Sequence, residues 1–582
     1  MTIFSSLLKK IRNPYLVVAA TAIVLALVPW LMLMYLNSGP LSAPPEMVDD
    51  SVYYFARVHT VLDGHIFIGN PYIKEYADGM TSAFFGADWI ATIPFVFGLP
   101  FTATIIIDVV LWSAIFGIIC VWFLQMLGMT VRQQVIGAII LIASSFWLLQ
   151  RPVAMEVVFP IYMLFMGAYL LWLKNPSEWR RMALLTVSII LSFYAYTYLW
   201  QIVVITLACV HLFACIYDRR LIKPLAVIDF CAVVAVSPLV VYTYQQIHHA
   251  WYWETMARIG LIATHTVGSS AIYYAGIALV SYGTFFVGSR FRPKDTALFV
   301  FVTTISVALL GVTLSNIITG KDLEIAVHVG RFVDVWSVVL ALWIFSLIAS
   351  LAANTDRLHM FSTKKFHLLI AMSYSLLIIV HGAYGFLQRF PTLNHTTLAS
   401  ESYAEPLAWL GSHTPPGSII FADDQFSYYV PVMTHDFVQF QPDAGLYLMS
   451  DGEVADRYLA SRMFDALSLT NIENDYRLYG GVGNAIHAYK TENRRRQLTC
   501  LLTLKRNCAE STTAVSYRGE SYFEGLYSSY QSILKNPQAE LDRYGVNYIV
   551  IDSENDPPFT TENLPNVQHL ATIGRFEIYS VH

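Results

Sequence analysis

The order of apolar and polar positions divides the chain into two regimes. From residue 14 to 387, apolar runs recur between short polar breaks, and a helix needs roughly 20 such residues to cross the bilayer core. The runs predict eleven spans near 14–37, 101–127, 133–150, 153–173, 182–197, 198–217, 225–243, 270–289, 297–315, 332–353 and 366–387. The fourth to sixth lie so close together that ten to thirteen spans fit the same pattern. No small-residue cleavage site follows the first run, so it reads as a retained helix rather than a signal peptide. After residue 388 the runs shorten, as in Ser418–Ala422 and Val546–Ile551, and polar helical stretches separate them. Strands alternating with helices predict an α/β fold. The expected architecture is a polytopic α-helical membrane domain over 1–387 joined to a C-terminal extracytoplasmic α/β domain over 388–582.

Composition sharpens this picture. Hydrophobic residues make up 56% of the 582 and charged residues 13%, with mean hydropathy +0.51, which excludes a soluble enzyme. The net charge of −5 speaks against a nucleic-acid partner. Residues 1–387 hold 22 Lys and Arg against 18 Asp and Glu, while residues 388–582 hold 14 against 23, so the acidic excess lies in the second part. With the N-terminus cytoplasmic, 16 basic residues fall on inner segments and six on outer ones. The positive-inside rule therefore predicts that orientation, with residues 388–582 outside the cytoplasm. Cys500 and Cys508 are the only cysteines of that part. They are candidates for a disulfide across a short loop, and two unpaired loop thiols fit equally well.

Charge inside a bilayer is costly, and the spans carry little of it near their centres. Polar groups gather at the outer boundary, above all in the first outer loop, residues 38–100. Its acids are Glu46, Asp49, Asp50, Asp63, Glu75, Asp78 and Asp88, against only Arg57 and Lys74 between 38 and 88. Val52, Phe55, Val58 and Leu62 share one face of a helix expected to lie on the membrane surface and to end at Gly64. One of Asp49 and Asp50 reads as its N-cap. The same pair also reads as a base, or as ligands for a hard divalent cation beside a phosphate leaving group.

A first span, then an outer loop opening with an acidic pair ahead of a Tyr-rich helix, resembles the GT-C superfamily of membrane glycosyltransferases. Protein O-mannosyltransferases and the bacterial aminoarabinose transferase are members. The closing segments Tyr544–Val550 and Phe576–Tyr579 are similar to strands in bacterial members. The resemblance implies an inverting transferase in the cytoplasmic (inner) membrane with a periplasmic C-terminal domain. Its donor would be a polyprenyl-phosphate sugar, its acceptor a glycan, lipid or protein, and its cofactor a divalent cation, Mg or Mn. Asp49 matches the first-loop acid of the family, which serves as base or metal ligand, and Asp50 stands where several members have Glu. The Trp-Trp-Asp signature of oligosaccharyltransferases is absent, which disfavours en bloc transfer to asparagine.

Further candidates complete the expected site. Glu156, after Arg151-Pro152 in the second outer loop, offers another catalytic acid and a second metal ligand beside Asp49; a solvated partner of Arg151 is the plainer reading. Arg331 and His328, at the outer start of the tenth span, suit a donor phosphate through a bidentate guanidinium and an imidazole. Arg57 and Lys74 are further phosphate candidates. Tyr53, Trp251 and Trp253 are candidates for sugar or acceptor contacts, although Trp and Tyr also anchor membrane interfaces. The alternative from another class is a transporter or flippase for a lipid-linked glycan, favoured by the span count and opposed by the acid-rich loop.

Overall fold

A computed structural model describes the chain apart from residues 1–12, 49, 82–83, 291–294, 354–363, 482–493, 497–498, 501–502, 504–512, 557–558 and 562–563, and over 351–387 it describes backbone alone. Eight described helices are long and apolar enough to cross a membrane: Pro14–Leu36, Phe101–Met126, Ala154–Lys174, Thr197–Ile216, Arg219–Ile247, Ser269–Ser289, Thr296–Thr313 and Ile325–Ser350. The protein is a multi-pass membrane protein. The other three expected spans are also helical. The stretch 133–150 breaks at Ser145 into Val131–Ser144 and Phe146–Leu149, and 182–197 falls in the 17-residue helix Trp179–Ala195. The last, 366–387, lies within Lys364–His413, which runs without a break through residue 388.

Local chemistry starts and packs these helices. Asn13 accepts hydrogen bonds from the Tyr15 and Leu16 N–H groups, and Pro14 follows where its missing N–H costs nothing. A side-chain carbon added at Gly167 would lie 2.2 Å from the Trp122 ring, so this glycine lets Ala154–Lys174 approach Phe101–Met126 closely. Ala154–Lys174 is the central helix of the bundle, with 89% of its apolar window buried.

Two short strands between the spans, β1 (Ile262–Ala263) and β2 (Lys321–Asp322), pair antiparallel. The C-terminal domain carries a five-stranded sheet of β3 (Ile419–Phe421), β4 (Phe437–Val438), β5 (Tyr548–Asp552), β6 (Val567–Ile573) and β7 (Phe576–Val581), in the order β4-β3-β5-β7-β6. The β3 strand pairs in parallel with β4 and β5, whereas β7 is antiparallel to β5 and β6. The expected strand at Tyr544 begins later, because Gly545 takes φ +60° and closes the Pro537–Arg543 helix instead.

The first loop is built into this domain. Its helix, Ser51–Leu62, ends as expected before Gly64, and Val52, Phe55 and Val58 are fully buried. The Asp424–Met433 helix of the C-terminal domain packs on it. One apolar core runs from Trp30 and Leu33, through Val52, Phe55, Tyr72 and Ile73, to Leu407, Phe426 and Ile420. Hydrogen bonds reinforce the contact: Val438 N–H donates to Tyr72 O at 2.8 Å, and the Glu401 carboxylate accepts from Ser42 and Ala43 N–H at 2.9 and 3.0 Å. The loop helix is thus covered by protein rather than lying on the membrane surface.

Candidate functional site

Asp50 begins the loop helix yet does not cap it with its side chain. Its backbone takes φ +144°, and its carboxylate turns to Arg151. Arg151 Nε donates to Asp50 Oδ1 at 2.9 Å, Nη2 donates to Asp50 Oδ2, and Nη2 also donates to the Tyr54 hydroxyl at 3.2 Å. The guanidinium carbon sits 5.0 Å from the centre of the Tyr54 ring. Asp50 and Tyr54 thereby fix a buried arginine in one orientation. Its remaining nitrogen, Nη1, is buried with no hydrogen-bond partner.

A second arginine arrives from the start of the Ile325–Ala353 helix. His328 and Arg331 are one turn apart on it. The His328 ring stacks on Tyr198, with centres 4.5 Å apart and planes at 5°, and its Nδ1 hydrogen-bonds the Tyr196 hydroxyl at 2.7 Å. Tyr196 stands at the break between the Trp179–Ala195 and Thr197–Ile216 helices, and its hydroxyl also lies beside the Arg151 guanidinium. The charges of both Arg331 and Arg151 act on His328. Arg331 Nη1, like Arg151 Nη1, is buried without a partner. Two guanidinium nitrogens with unused N–H groups therefore flank a single Tyr–His pair.

The C-terminal domain adds an acid. Asp443, in the Pro442–Leu446 turn, hydrogen-bonds the Tyr428 hydroxyl, which accepts from Tyr53 N–H at 3.2 Å. Burial, seconded by the Asp50 charge, pushes Asp443 up to about 6, against the opposing pull of the Tyr428 hydroxyl. Tyr53 lies in this cluster, its ring centre 6.0 Å from that of Tyr447. Sequence reasoning gives Arg151 only as a partner of Glu156 and assigns no role to Tyr196, Tyr428 or Asp443.

Other expected residues fall elsewhere. Asp49 lies outside the described residues. Arg57 is fully buried with all five N–H groups engaged, on Asp88, Thr81, Tyr53 and the Phe84 carbonyl, so no donor is left for a phosphate. Lys74 donates to Gly417 O at 2.6 Å and joins the loop to the C-terminal domain. Glu156 is a buried helical residue rather than a loop acid. One carboxylate oxygen accepts from Val153 N–H at 2.6 Å, and the other faces the Asp108 carboxyl. Arg151 pairs with Asp50, not Glu156. Trp251 and Trp253 remain partly exposed, with Lys321 Nζ 3.9 Å from the Trp253 ring centre, and their described contacts do not reach the arginine pair. Cys500 is disulfide-bonded, and Cys508 lies outside the described residues.

For Mg or Mn, several carboxylates would have to converge. Arg151 holds both oxygens of Asp50, and Glu156 is tied to Val153 and Asp108. The described acids thus do not form such a set. The one group of metal-ligating side chains among the described residues, His59, Asp63 and His435, stands at the opposite end of the loop helix.

These elements define a multi-pass membrane protein whose polar cluster forms where a helical bundle meets a sheet domain. The sequence matches no family model and no curated relative. Among solved structures, the fold is similar to that of the Archaeoglobus fulgidus oligosaccharyltransferase tethered to an acceptor peptide containing the NVT sequon, with 12% identity, TM-score 0.42, and coverage of 94% of this chain and 70% of that one. It is also similar to the archaeal oligosaccharyltransferase AglB from Archaeoglobus fulgidus in complex with an inhibitory peptide and a dolichol-phosphate, with 11% identity, TM-score 0.42, and 93% and 69% coverage. The apo form of the Archaeoglobus fulgidus enzyme gives 12% identity, TM-score 0.40, and 93% and 70% coverage. The likeness is one of overall fold alone.

Proposed function

We propose that the protein is a GT-C-type glycosyltransferase that moves a sugar from a polyprenyl-phosphate donor to an acceptor hydroxyl at the outer face of the cytoplasmic membrane. One observation carries this reading: Arg151 and Arg331 each hold a buried Nη1 without a partner, around the Tyr196–His328 pair. An unpaired buried donor costs about 1–3 kcal/mol, and more when charged. A phosphate bridging the two guanidiniums would satisfy both. Its polyprenyl tail would lie in lipid, while the acceptor would approach from water beneath the C-terminal domain.

In the reaction, the acceptor oxygen bonds to the anomeric carbon as the bond from that carbon to the phosphate oxygen breaks. The guanidiniums receive the charge that develops on the departing polyprenyl phosphate. The acceptor proton passes to a carboxylate. Asp49 holds that role by resemblance, and Asp443, pushed up to about 6, is an acid of the described cluster tuned towards a base near neutrality. Single Asn variants separate the two. Asp50 acts by orienting Arg151.

The test is to incubate detergent-purified protein with a labelled polyprenyl-phosphate sugar and a hydroxyl acceptor. The expected result is glycosylated product together with free polyprenyl phosphate, both lost in Arg331→Met. Donor binding without turnover under any acceptor would favour the flippase reading, since transport has no meaning in detergent. Failure to bind donor would overturn both.

A further inference from the structure

His59 and Asp63 are four residues apart, which places them on one side of the loop helix at its last turn. His435 reaches them from the C-terminal domain, just beyond the Asp424–Met433 helix. His435 Nδ1 lies 2.8 Å from Asp63 Oδ1, and His59 Nδ1 lies 3.5 Å from Asp63 Oδ2. The two imidazoles are stacked, with centres 5.1 Å apart and planes at 29°. The three ligand atoms all lie within 4.8 Å of one another. We propose that His59, Asp63 and His435 form a zinc-class metal site that clamps the C-terminal domain onto the loop helix.

The donor set selects the metal. Two neutral imidazoles and one carboxylate suit zinc and its first-row neighbours, whereas magnesium and calcium prefer oxygen ligands. Three protein ligands leave the fourth tetrahedral position to water. The support expected around such ligands is present. The His59 side chain is only 14% exposed, the Phe101 ring meets it edge-on with centres 5.6 Å apart, and the Pro431 backbone lies within hydrogen-bonding reach of the ring. The His435 carbonyl accepts from Gly417 N–H at 2.8 Å, which fixes the backbone that presents the exposed ring. Bringing the ligands to metal-bond distances requires only a modest closure of side chains already grouped.

The position makes this a clamp rather than a reaction centre. The loop helix has 12 residues, and at 1.5 Å per residue its two ends are about 18 Å apart. The metal would sit at the end opposite Asp50 and Arg151. Binding would join two parts of the chain more than 370 residues apart, as the His435–Asp63 contact already does.

The test is metal binding by the full-length protein in detergent, stripped with a chelator and titrated with Zn²⁺ or with Co²⁺ as an optical probe. The expected result is one equivalent of zinc per chain, with Co²⁺ giving visible absorption bands of a low-symmetry nitrogen–oxygen site. His435→Ala and Asp63→Asn should each weaken binding at least about tenfold. His65→Ala, which removes the neighbouring histidine paired with Asp78 at 2.8 Å, should leave binding unchanged. Wild-type protein that takes up no zinc, or zinc uptake that persists undiminished in both His435→Ala and Asp63→Asn, would overturn the proposal. The readout is independent of glycosyl transfer, so it stands or falls apart from the proposed reaction.

Discussion

Replacing Arg331 by Met gives effects of opposite sign on stability and on donor affinity. The Met side chain keeps an apolar stem against the helices and removes a guanidinium whose Nη1 is buried and unpaired. A side chain that holds the fold together loses stability on truncation. Arg331 instead carries a desolvated donor, whose penalty is about 1–3 kcal/mol, so the ligand-free variant should melt at the wild-type temperature or about 2 °C higher. Donor binding should move the other way. A hydrogen bond to a charged group contributes about 1.5–3 kcal/mol, and 1.4 kcal/mol is tenfold, so the dissociation constant for polyprenyl phosphate should rise about ten- to a hundredfold. Scanning fluorimetry and calorimetric titration on one detergent preparation give both numbers. A variant that lost more than about 2 kcal/mol of stability while binding polyprenyl phosphate like wild type would refute the reasoning, because Arg331 would then be a structural residue.

Three further outcomes are expected. Asp88→Asn leaves the fully buried Arg57 charge without its counterion, which should cost about 3–5 kcal/mol in chemical denaturation while the remaining folded molecules keep wild-type donor affinity. Glu156→Gln preserves the acceptor for Val153 N–H and offers an amide to Asp108, so initial rates should stay within about threefold of wild type, whereas loss of a general base would cut them by about 10² or more. Asp443 titrates at about 6 in the folded protein against 3.8 ordinarily, so folding takes up a proton between those pH values. Stability should therefore fall by at most about 3 kcal/mol as pH rises from 4 to 6 and level off above, and denaturant midpoints of Asp443→Asn should lack that decline.

The bundle was legible because a span is a local property: twenty apolar residues announce it wherever they occur. The loop helix was legible for a similar reason, since Val52, Phe55 and Val58 mark its face and Gly64 its end. The arginines were not. Arg57 and Arg151 both sit in polar segments outside the long spans, and nothing near Arg57 reveals that Asp88, 31 residues on, claims its guanidinium. Arg151-Pro152 signals a turn, which by sequence makes Glu156 a loop acid. Val153, however, takes φ +61° and the helix starts at once, drawing Glu156 inside. Tyr196 sits where two predicted spans met at 197 and 198, and a tyrosine at such a break was a signal open to reading. Asp443 had no local mark, because its raised affinity for a proton depends on burial and on Asp50, nearly 400 residues earlier.

The bond from Val438 N–H to the Tyr72 carbonyl bears on how the molecule is made. At the β4 edge, first-loop backbone occupies a position a further strand would otherwise take. The loop is synthesised early, among the first hundred residues, while β4 is synthesised after all eight of the described spans. Until then Tyr72, Ile73 and the buried face of the loop helix have no surface to pack on. The polar cluster around Asp50 is therefore completed last, when the final third of the chain arrives, and a partly inserted protein carries its acids and arginines unassembled. Quality control that tests whether this loop is covered would be testing, in one contact, that synthesis has passed the bundle and reached the sheet.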